Sequence, residues 1–377
     1  MKQFHIWDLE KVHVKINPLF LSKINKIISI KFKTKRKFYS SFSNKIPFSV
    51  FKNLLKPSYS LKFFIPLGFL VALCDQLNIS KEELEVSILS YKSGGSVNYI
   101  INPVLPIQIN PVFDMIYAHN IGDGTVSIIK NRLPYFAYRQ FNSFYRDLYI
   151  KKIEYIFGNI IYNKKNFKEL TRVRCPSSLS TLFFKYYKLG SDGFLSDTAR
   201  ISDKIFRNGK DSMLAVLIAF IIDEGNIDSS QISIKLKNIP LVKDLSKICS
   251  FLGYKHKLVS GKGDYVGYAT LYILRDGMEI LFGDYLLLNK KHSVIDLGFK
   301  GDKIKNSFNI NYRKIRNVKG NRDLILSLLQ VENISINQIA DKINMTRQGV
   351  RYHINNLLKD NKIKIIDKNQ LNWVYGV

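Results

Sequence analysis

The stretch that decides the fold is Ile116-Tyr117-Ala118-His119-Asn120-Ile121-Gly122-Asp123-Gly124, and it has a counterpart at Leu217-Ile218-Ala219-Phe220-Ile221-Ile222-Asp223-Glu224-Gly225. Each stretch is an apolar run that ends in an acidic residue followed by glycine. The two copies occupy corresponding places in two successive segments of similar length, which indicates two similar modules in one chain. In each module we predict an apolar helix that presents a carboxylate at its C-terminal end.

Two small residues, Ala118 and Gly122, lie four positions apart on one face of the first predicted helix, and Ala219 and Asp223 have the same spacing on the second. Residues at this spacing are neighbours on the helix surface, and small side chains allow two backbones to approach closely. If the helices pack along this face, Asp123 and Glu224 arrive together at the helix ends. The interface residues of this prediction are Ala118, Gly122, Ala219 and Asp223.

Two carboxylates placed side by side indicate a metal site. Asp123 and Glu224 would repel each other, and the C-terminal ends of two helices add partial negative charge. We therefore expect the pair to bind a divalent cation, Mg²⁺ or Mn²⁺. Mg²⁺ needs few carboxylates, keeps several waters and takes phosphate oxygens as its remaining ligands. Such an ion activates water and stabilises the leaving oxygen of a phosphodiester.

A large excess of basic residues indicates a polyanionic partner. The 377 residues include 58 Lys and Arg against 30 Asp and Glu, a formal net charge of +28. Nucleic acid is the default partner for such an excess. Residues 1–62 are especially basic, with Asp8 and Glu10 as their only acids. Apolar residues interleave with these charges, which favours a folded basic surface over a solvated tail.

Composition also excludes several classes of protein. A hydrophobic content of 46% indicates globular domains rather than disorder. The longest apolar runs, Phe63–Cys74 and Met213–Ile222, are shorter than the roughly 20 residues of a membrane span. The first residues do not form an apolar signal segment. We therefore expect a cytoplasmic protein without membrane contact. The cysteines match neither a disulfide framework nor a zinc site, and they are Cys74, Cys175 and Cys249.

Residues 1–106 are predicted to form a basic, mainly helical region. Leu61–Leu77 indicates an apolar helix, and after a short turn residues 80–91 indicate a second helix. Ser80 followed by Glu83 fits a capping box at the start of this second helix. The pattern fits a helix-turn-helix that binds DNA and a packed helical hairpin equally well.

The chain then repeats itself, with a first half at 107–210 and a second half at 211–300. In each half the motif is followed by a strand-like run, an asparagine, a helix that ends in glycine, a further strand and a further helix. Duplicated α+β halves are the simplest architecture. The strand-like runs are Tyr135–Gln140, Arg172–Cys175, Ile232–Lys237 and Ala269–Leu274.

Residues 301–320 are predicted to be a basic linker, and residues 321–377 a separate domain. Three helices followed by two strands describe a winged helix, in which Thr346 caps the third helix. A winged helix used for protein contacts is the alternative, which the basic charge disfavours. The exposed start of the third helix, where a recognition helix contacts base edges, carries Arg347, Gln348, Arg351 and Tyr352.

The two motifs resemble those of LAGLIDADG homing endonucleases in the single-chain, two-motif form. The resemblance covers residues 107–300. It implies two αββαββα halves, with the motif helices at their interface and two antiparallel sheets over the DNA major groove. It further implies that Asp123 and Glu224 bind divalent metals and cut both strands, in a monomer that acts as a pseudo-dimer. Family members also use basic residues near the metals, and Arg275 is the candidate here.

Three residues depart from the family motifs. His119 and Asn120 in the first motif, and Asp223 in the second, stand where apolar or small residues are usual. Asp223 is expected to pack or hydrogen-bond rather than to bind metal, and neither half contains an unambiguous catalytic lysine.

Polar residues alternate with apolar ones on the predicted strands, which places the polar residues on one face of each sheet. We expect this face to contact DNA, and a solvated face without DNA contacts is the alternative. The candidates are Tyr138, Arg139, Gln140, Ser233, Lys235 and Lys237.

Together these features predict a site-specific, metal-dependent double-strand DNA endonuclease. A transcription regulator that keeps the fold without cleavage is the principal alternative. The winged helix favours the regulator, whereas the retention of both acids favours the nuclease. An RNA-splicing maturase is a third candidate, and winged-helix readout of a duplex major groove argues against it.

Overall fold

The computed structural model describes residues 2–42, 46–127, 135–162, 171–261, 266–308, 320–368 and 373–377. These residues form two compact units. The first unit comprises residues 1–226 and 232–298, and the second comprises residues 227–231 and 299–377. The N-terminal region and both halves of the repeat therefore share the first unit. The boundaries expected at residues 106 and 210 stay predictions.

The N-terminal region alternates helices with strands. A short 3-10 helix spans Ile6–Asp8. The remaining elements are β1 (Gln3–Phe4), β2 (Val12–Ile16), α1 (Pro18–Phe32), α2 (Lys35–Ser41), α3 (Phe48–Leu54), α4 (Pro57–Lys62), β3 (Ile65–Pro66), α5 (Leu67–Leu77), α6 (Lys81–Val86), β4 (Ile88–Ser93), β5 (Tyr99–Ile101) and β6 (Ile107–Gln108).

Two helix predictions for this region are wrong in extent. The apolar helix begins at Leu67 rather than at residue 61, because Pro66 lies in β3 and directly precedes the helix. The second helix ends at Val86, since residues 88–93 enter the ladder with β2 instead. Ser80 nevertheless caps α6, because its hydroxyl accepts the N–H of Glu83 at 3.1 Å.

The short helix α6 packs against α5 as a helical hairpin. It spans six residues of sequence KEELEV, and its acidic side chains would repel phosphates. Glu85 is buried and accepts hydrogen bonds from the backbone of Ile6 and from the ring of His5. A DNA-binding role for this segment stays a prediction, which the acidic side chains of α6 disfavour.

The two halves of the repeat each have the order αββαββα. The first half consists of α7 (Pro111–Gly122), β7 (Gly124–Ser127), β8 (Tyr135–Arg139), α8 (Ser143–Phe157), β9 (Asn159–Ile161), β10 (Arg172–Arg174) and α9 (Ser178–Tyr187). After α10 (Asp203–Asn208), the second half consists of α11 (Lys210–Glu224), β11 (Gly225–Ile227), β12 (Gln231–Leu236), α12 (Ile239–Leu252), β13 (His256–Ser260), β14 (Ala269–Leu274) and α13 (Arg275–Lys291). The duplicated α+β fold is confirmed.

Matching capping residues delimit the second helix of each half. Asn142 and Asn238 cap α8 and α12, since their side chains accept backbone N–H groups of the first turn. Gly158 and Gly253 end the same helices with φ angles of 103° and 76°. Only glycine adopts such angles without strain, which is why both repeats end in this residue.

Three antiparallel sheets organise the first unit. One has the order β10-β8-β7, the second β11-β12-β14-β13, and the third β3-β2-β4-β5-β9. The third sheet joins strands of the N-terminal region to β9 of the first half. In addition, β1 pairs with β6, directly before α7 begins. The motif helices α7 and α11 are buried along nearly their whole length, as expected for helices that are apolar on all sides.

The second unit contains the winged helix. Its elements are α14 (Phe299–Phe308), α15 (Asn321–Val331), β15 (Ile334–Ser335), α16 (Ile336–Lys342), α17 (Arg347–Lys359), β16 (Lys364–Lys368) and β17 (Trp373–Gly376). The sheet order is β15-β17-β16, so a short third strand joins the two that the sequence predicts. The start of the predicted linker, residues 301–308, is helical, since α14 reaches Phe308, and residues 309–319 lie outside the described residues.

The caps of the winged helix agree with the predicted elements. Ser335 and Gln338 form a capping box at the start of α16, and the Thr346 hydroxyl accepts the N–H of Gly349 at 3.0 Å. A buried apolar cluster, which includes Ile325, Ile339 and Ile354, joins the three helices to β17. Within the described ranges, no helix is long and apolar enough to cross a bilayer.

Candidate functional site

The two motif helices pack closely at their C-terminal ends. A methyl group placed on Gly122 of α7 would lie 2.9 Å from Oδ2 of Asp223 on α11, which is closer than van der Waals contact permits. Ala118 and Ala219 are both fully buried. Gly122 is therefore required by the approach of the Asp223 side chain. Asp123 and Glu224 each follow a residue of this contact directly in sequence, so the two acids extend from adjoining helix ends.

Two of the three residues that depart from the family motifs, His119 and Asp223, contact each other. Nδ1 of His119 and Oδ2 of Asp223 are 2.9 Å apart, and both side chains are buried. The hydroxyl of Tyr138, on β8, donates to Oδ1 of the same carboxylate at 2.7 Å. Asp223 thus accepts two hydrogen bonds from the first half of the repeat. We call His119, Tyr138 and Asp223 the buried triad.

Aromatic rings surround the buried triad. The rings of Tyr138 and Tyr149 stack with centroids 4.2 Å apart, and His119 packs edge-on against both. Asn120 donates to the carbonyl of Ile116 at 2.7 Å and to the hydroxyl of Tyr149 at 3.2 Å. The polar residues of the first motif are therefore hydrogen-bonded within the core, as buried polar groups must be.

Burial determines the protonation states near the triad. Desolvation, with the ammonium group of Lys152 nearby, lowers the pKa of His119 well below its usual range. A neutral His119 carries one ring proton, and on Nδ1 this proton is donated to Asp223. Among the described residues, Nε2 of the same ring has no hydrogen-bond partner. Burial also lowers the pKa of Lys152 to about 8, although Asp223 and Asp296 act in the opposite direction.

Asp123 is held by the strand that follows its helix. It is the C-terminal capping residue of α7, and its backbone N–H donates to the carbonyl of His119. Nε2 of Gln140 donates to Oδ2 of Asp123 at 2.8 Å, and the N–H of Arg139 donates to its carbonyl. Tyr138 in β8 and Gln140 just beyond its end are two residues apart, so alternate residues of this segment bind Asp223 and Asp123.

The donor set at the helix ends fits a divalent cation that keeps most of its water. Asp123 and Glu224 supply carboxylate oxygens, the ligands that Mg²⁺ and Mn²⁺ prefer. Within the part of the chain that the structure describes, no three His, Cys, Asp or Glu side chains form a metal cage. Bound waters and phosphate oxygens would therefore complete the coordination. The buried triad engages both oxygens of Asp223.

The outer face of the first-half sheet is basic. Arg139 is exposed on β8, and its ladder partner on β10 is Arg172. Arg174 lies over the ring of Tyr135 with 5.5 Å between guanidinium and centroid. The alternating sequence Arg-Val-Arg at 172–174 is a signal for this face, but neither arginine was among the predicted DNA contacts. Tyr138, predicted to face DNA, is fully buried instead, because its side chain points toward the motif helices.

The outer face of the second-half sheet has the same character. Ile232 and Ile234 are buried, whereas Ser233, Lys235 and Lys237 alternate with them on the more accessible face. The ammonium groups of Lys235 and Lys237 lie 5.1 Å and 5.6 Å from the ring centroid of Tyr268. Lys257 on β13 lies 4.9 Å from the ring centroid of Tyr272. Both sheets therefore present cations and aromatic rings together.

Two further sets of predicted residues have defined positions. Arg275 is the first residue of α13, directly after β14, and its Nε lies 3.5 Å from the carboxylate of Glu279. A role for Arg275 near a metal stays a prediction. The polar residues at the start of α17, in the second unit, are all exposed: they are Arg347, Gln348, Arg351 and Tyr352. This exposure is what a recognition helix requires.

Comparison with known proteins supports the assignment of the C-terminal segment. Residues 322–364 match the model of a winged helix-turn-helix DNA-binding family. A sequence search of curated proteins gives no significant match. The predicted winged helix is therefore confirmed both by its family model and by its helix and strand order.

Solved structures similar to this chain include I-DmoI homing endonucleases. Mesophilic variants of I-DmoI are 15% identical, with a TM-score of 0.34, over 45% of this chain and 93% of theirs. I-DmoI in complex with DNA and Mn is 15% identical, with a TM-score of 0.31, over 45% of this chain and 94% of its own. Full-length DUF199/WhiA from Thermatoga maritima is 12% identical, with a TM-score of 0.29, over 67% of this chain and 93% of its own. At these values no function transfers by similarity alone.

Proposed function

We propose that this protein is a site-specific endonuclease that binds duplex DNA and cuts both strands with Mg²⁺ or Mn²⁺ at Asp123 and Glu224. One chain supplies both halves of the catalytic unit, so a monomer acts as a pseudo-dimer. The winged helix supplies an additional DNA-binding module. The formal net charge of +28 supports a polyanionic partner.

The contact between Gly122 and Asp223 is the observation that carries this proposal. Because the helices approach this closely, the acid after each contact residue extends from the same end of the helix pair. Carboxylates at paired helix C-termini repel each other and the helix dipoles, and a bound cation would offset this repulsion. The proposal therefore places Asp123 and Glu224, distant in sequence, around one cation, beside sheets that carry arginine and lysine.

The residues around the acids orient them. Gln140 donates to Asp123 and fixes its carboxylate at the end of α7. The buried triad hydrogen-bonds both oxygens of Asp223 and joins α11 to β8. Asp123 and Glu224 would hold a divalent cation, which would supply a Lewis acid for a scissile phosphate and lower the pKa of a bound water. Arg139, Lys235 and Lys237 fit contacts with the phosphates or base edges of the duplex.

The test is the cleavage of random-sequence duplex libraries with Mg²⁺ or Mn²⁺. Asp123→Asn and Glu224→Gln are each expected to abolish nicking while DNA affinity changes little, because each keeps the side-chain shape and removes the charge. Asp203→Asn is the matched control, since Asp203 is an exposed carboxylate in the first turn of α10. Unchanged cleavage by both site variants would overturn the proposal.

A DNA-binding regulator without cleavage is the second candidate. The match of residues 322–364 to a DNA-binding winged-helix family favours it, because such a module binds DNA without any nuclease centre. Sequence-selective binding together with no cleavage of any library in either metal would support the regulator. In both cases affinity should fall steeply with salt, by a log–log slope of about −0.9 for each neutralised phosphate.

A further inference from the structure

The third sheet, β3-β2-β4-β5-β9, has one buried face. Its ladders place Val14 opposite Tyr91, Tyr91 opposite Ile100, and Ile100 opposite Ile160. All of these residues are buried. Residues opposite each other in a ladder point to the same side of a sheet. This row therefore faces the core, and the neighbouring rows face away from it.

The opposite face of this sheet carries basic and aromatic residues. The ladders place His13 opposite Lys92, Lys92 opposite Tyr99, and Tyr99 opposite Ile161. Each of these residues keeps part of its surface accessible, and Ile161 is 39% exposed. Lys15, two residues from His13 on β2, lies on the same side. One row thus crosses the sheet from β2 to β9 with cations and an aromatic ring.

The ring of Phe64 lies close to two of these cations. The ammonium groups of Lys15 and Lys92 lie 5.1 Å and 4.9 Å from the centroid of its ring, and Tyr99 packs edge-on against that ring at 5.7 Å. Lys92 also donates to the carbonyl of Ser96. We call His13, Lys15, Phe64, Lys92 and Tyr99 the N-terminal sheet face. The five strands of this sheet contain neither Asp nor Glu, so none of their side chains neutralises the two lysines.

This face is fixed to the half of the repeat that carries Asp123. β5 pairs with β9, which directly follows α8 of the first half. The Ser93 hydroxyl accepts the N–H of Ser178, at the start of α9, at 2.8 Å. The hydroxyl of Tyr91 donates to the carbonyl of Phe157. Since the sheet is hydrogen-bonded into the first half, ligands bound on its face have a defined position relative to that half.

We propose that the N-terminal sheet face is an additional DNA-contact surface, which binds the phosphates of duplex DNA outside the segment covered by the sheets of the repeat. Two clustered ammonium groups without an acidic neighbour on their sheet fit a polyanion and not an apolar or cationic partner. The aromatic ring beneath them limits their motion, so less side-chain entropy is lost on binding. The inference rests on the proposed DNA binding and is independent of cleavage.

The experiment measures the affinity of the full chain for random-sequence duplexes, one short and one long, over a range of salt concentrations. Lys15→Gln with Lys92→Gln removes two charges and keeps the side-chain stems. We expect weaker binding to the long duplex and a salt slope that is shallower by about 0.9 for each phosphate that the variant no longer neutralises. The short duplex, which cannot extend beyond the repeat, should bind with nearly parental affinity.

A matched double variant removes the same charge elsewhere in the N-terminal region. Lys26→Gln with Lys52→Gln alters two exposed lysines, on α1 and α3, that do not lie on the sheet. It should leave the difference between long and short duplexes unchanged. Phe64→Leu, which keeps both charges but removes the ring, should weaken binding to a smaller extent and only for the long duplex.

Three outcomes would overturn this inference. They are parental affinity of the Lys15→Gln, Lys92→Gln variant for the long duplex, an equal decrease on both duplexes, and an equal decrease in the control variant. The parent protein could instead bind single-stranded DNA more tightly than the duplex. If the Lys15→Gln, Lys92→Gln variant lost this preference, the face would be assigned to single-stranded DNA instead of duplex DNA. Since no readout involves cleavage, an inactive nuclease centre would leave all of these results interpretable.

Discussion

The two halves of the repeat share one backbone plan but divide the polar chemistry unequally. Gly122 in the first half and Asp223 in the second occupy equivalent motif positions, and they face each other across the helix pair. In the first half, Tyr138 and Gln140 of the β8 segment bind Asp223 and Asp123. The equivalent residues of the second half are Ile234 and Leu236, which cannot donate hydrogen bonds.

The same halves also differ at the edge of the sheet. In the second half, β13 is the outermost strand of its sheet among the described residues, and four of its five residues are exposed. The corresponding strand of the first half, β9, is paired with β5 of the N-terminal region. The two halves therefore share their helices and strands, while Tyr138 and Gln140 of the first half donate hydrogen bonds to Asp223 and Asp123, and the first half carries the added sheet. Gly122 in one copy leaves space for the carboxylate of Asp223 in the other.

Removing the carboxylate of the buried triad should have the largest effect on stability. Asp223→Ala leaves the donors of His119 and Tyr138 buried without an acceptor, at a cost of about 1–3 kcal/mol each. Urea unfolding can be followed through Trp7, which lies in the first unit, in a Trp373→Phe background that removes the only other tryptophan. Asp203→Ala, at an exposed position, should cost less than about 0.5 kcal/mol. Equal stability of the Asp223→Ala variant and the parent would show that the halves are not joined through this residue.

Filling the space opposite the carboxylate should have a smaller effect. Gly122→Ala places a methyl group against Asp223, and such overpacking costs about 1–3 kcal/mol. Gly283→Ala is the matched control, because no atom lies within 4 Å of the added methyl group in α13. It should be neutral or stabilising by up to about 1 kcal/mol, through helix propensity. If both variants behave alike in the Trp7 assay, the close helix contact is not present in solution.

The smallest expected effect is on the pH dependence of the free energy of unfolding. Burial lowers the pKa of His119 in the folded state, so the unfolded chain takes up a proton there as pH falls below about 6.5, whereas the folded chain does not. The contribution of His119 to the free energy of unfolding is complete above that pH. It is lost as pH falls, with a slope of up to about 1.4 kcal/mol per pH unit. His119→Gln should reduce the slope between pH 6.5 and the lowered value. Identical slopes for parent and variant would mean that His119 titrates normally.

Much of this fold could be predicted from the sequence, because its signals are local. Capping residues such as Asn142 and Asn238, and the glycines that end their helices, follow from backbone requirements within one turn. The αββαββα order then follows from two copies of the same pattern. The predicted extent of the second helix was wrong because residues 80–91 form a short segment of mixed pattern. Residues 88–93 pair with β2 and therefore form a strand.

The arrangement of the site could be predicted only in part. Alternation shows that Tyr138 and Gln140 share a face of β8, but not that this face points to the motif helices. The bond between His119 and Asp223 joins residues far apart in sequence, so no local pattern reveals it. Their common departure from the motif was the available signal, since two unusual polar residues in an apolar interface require each other as partners.

Metal binding tests the central claim most directly: Asp123 and Glu224 share a divalent cation. Isothermal titration of Mn²⁺ into the protein bound to duplex DNA should show a site that is abolished in Asp123→Asn, abolished in Glu224→Gln and retained in Asp203→Asn. Retention of that site in either of the first two variants would contradict the account.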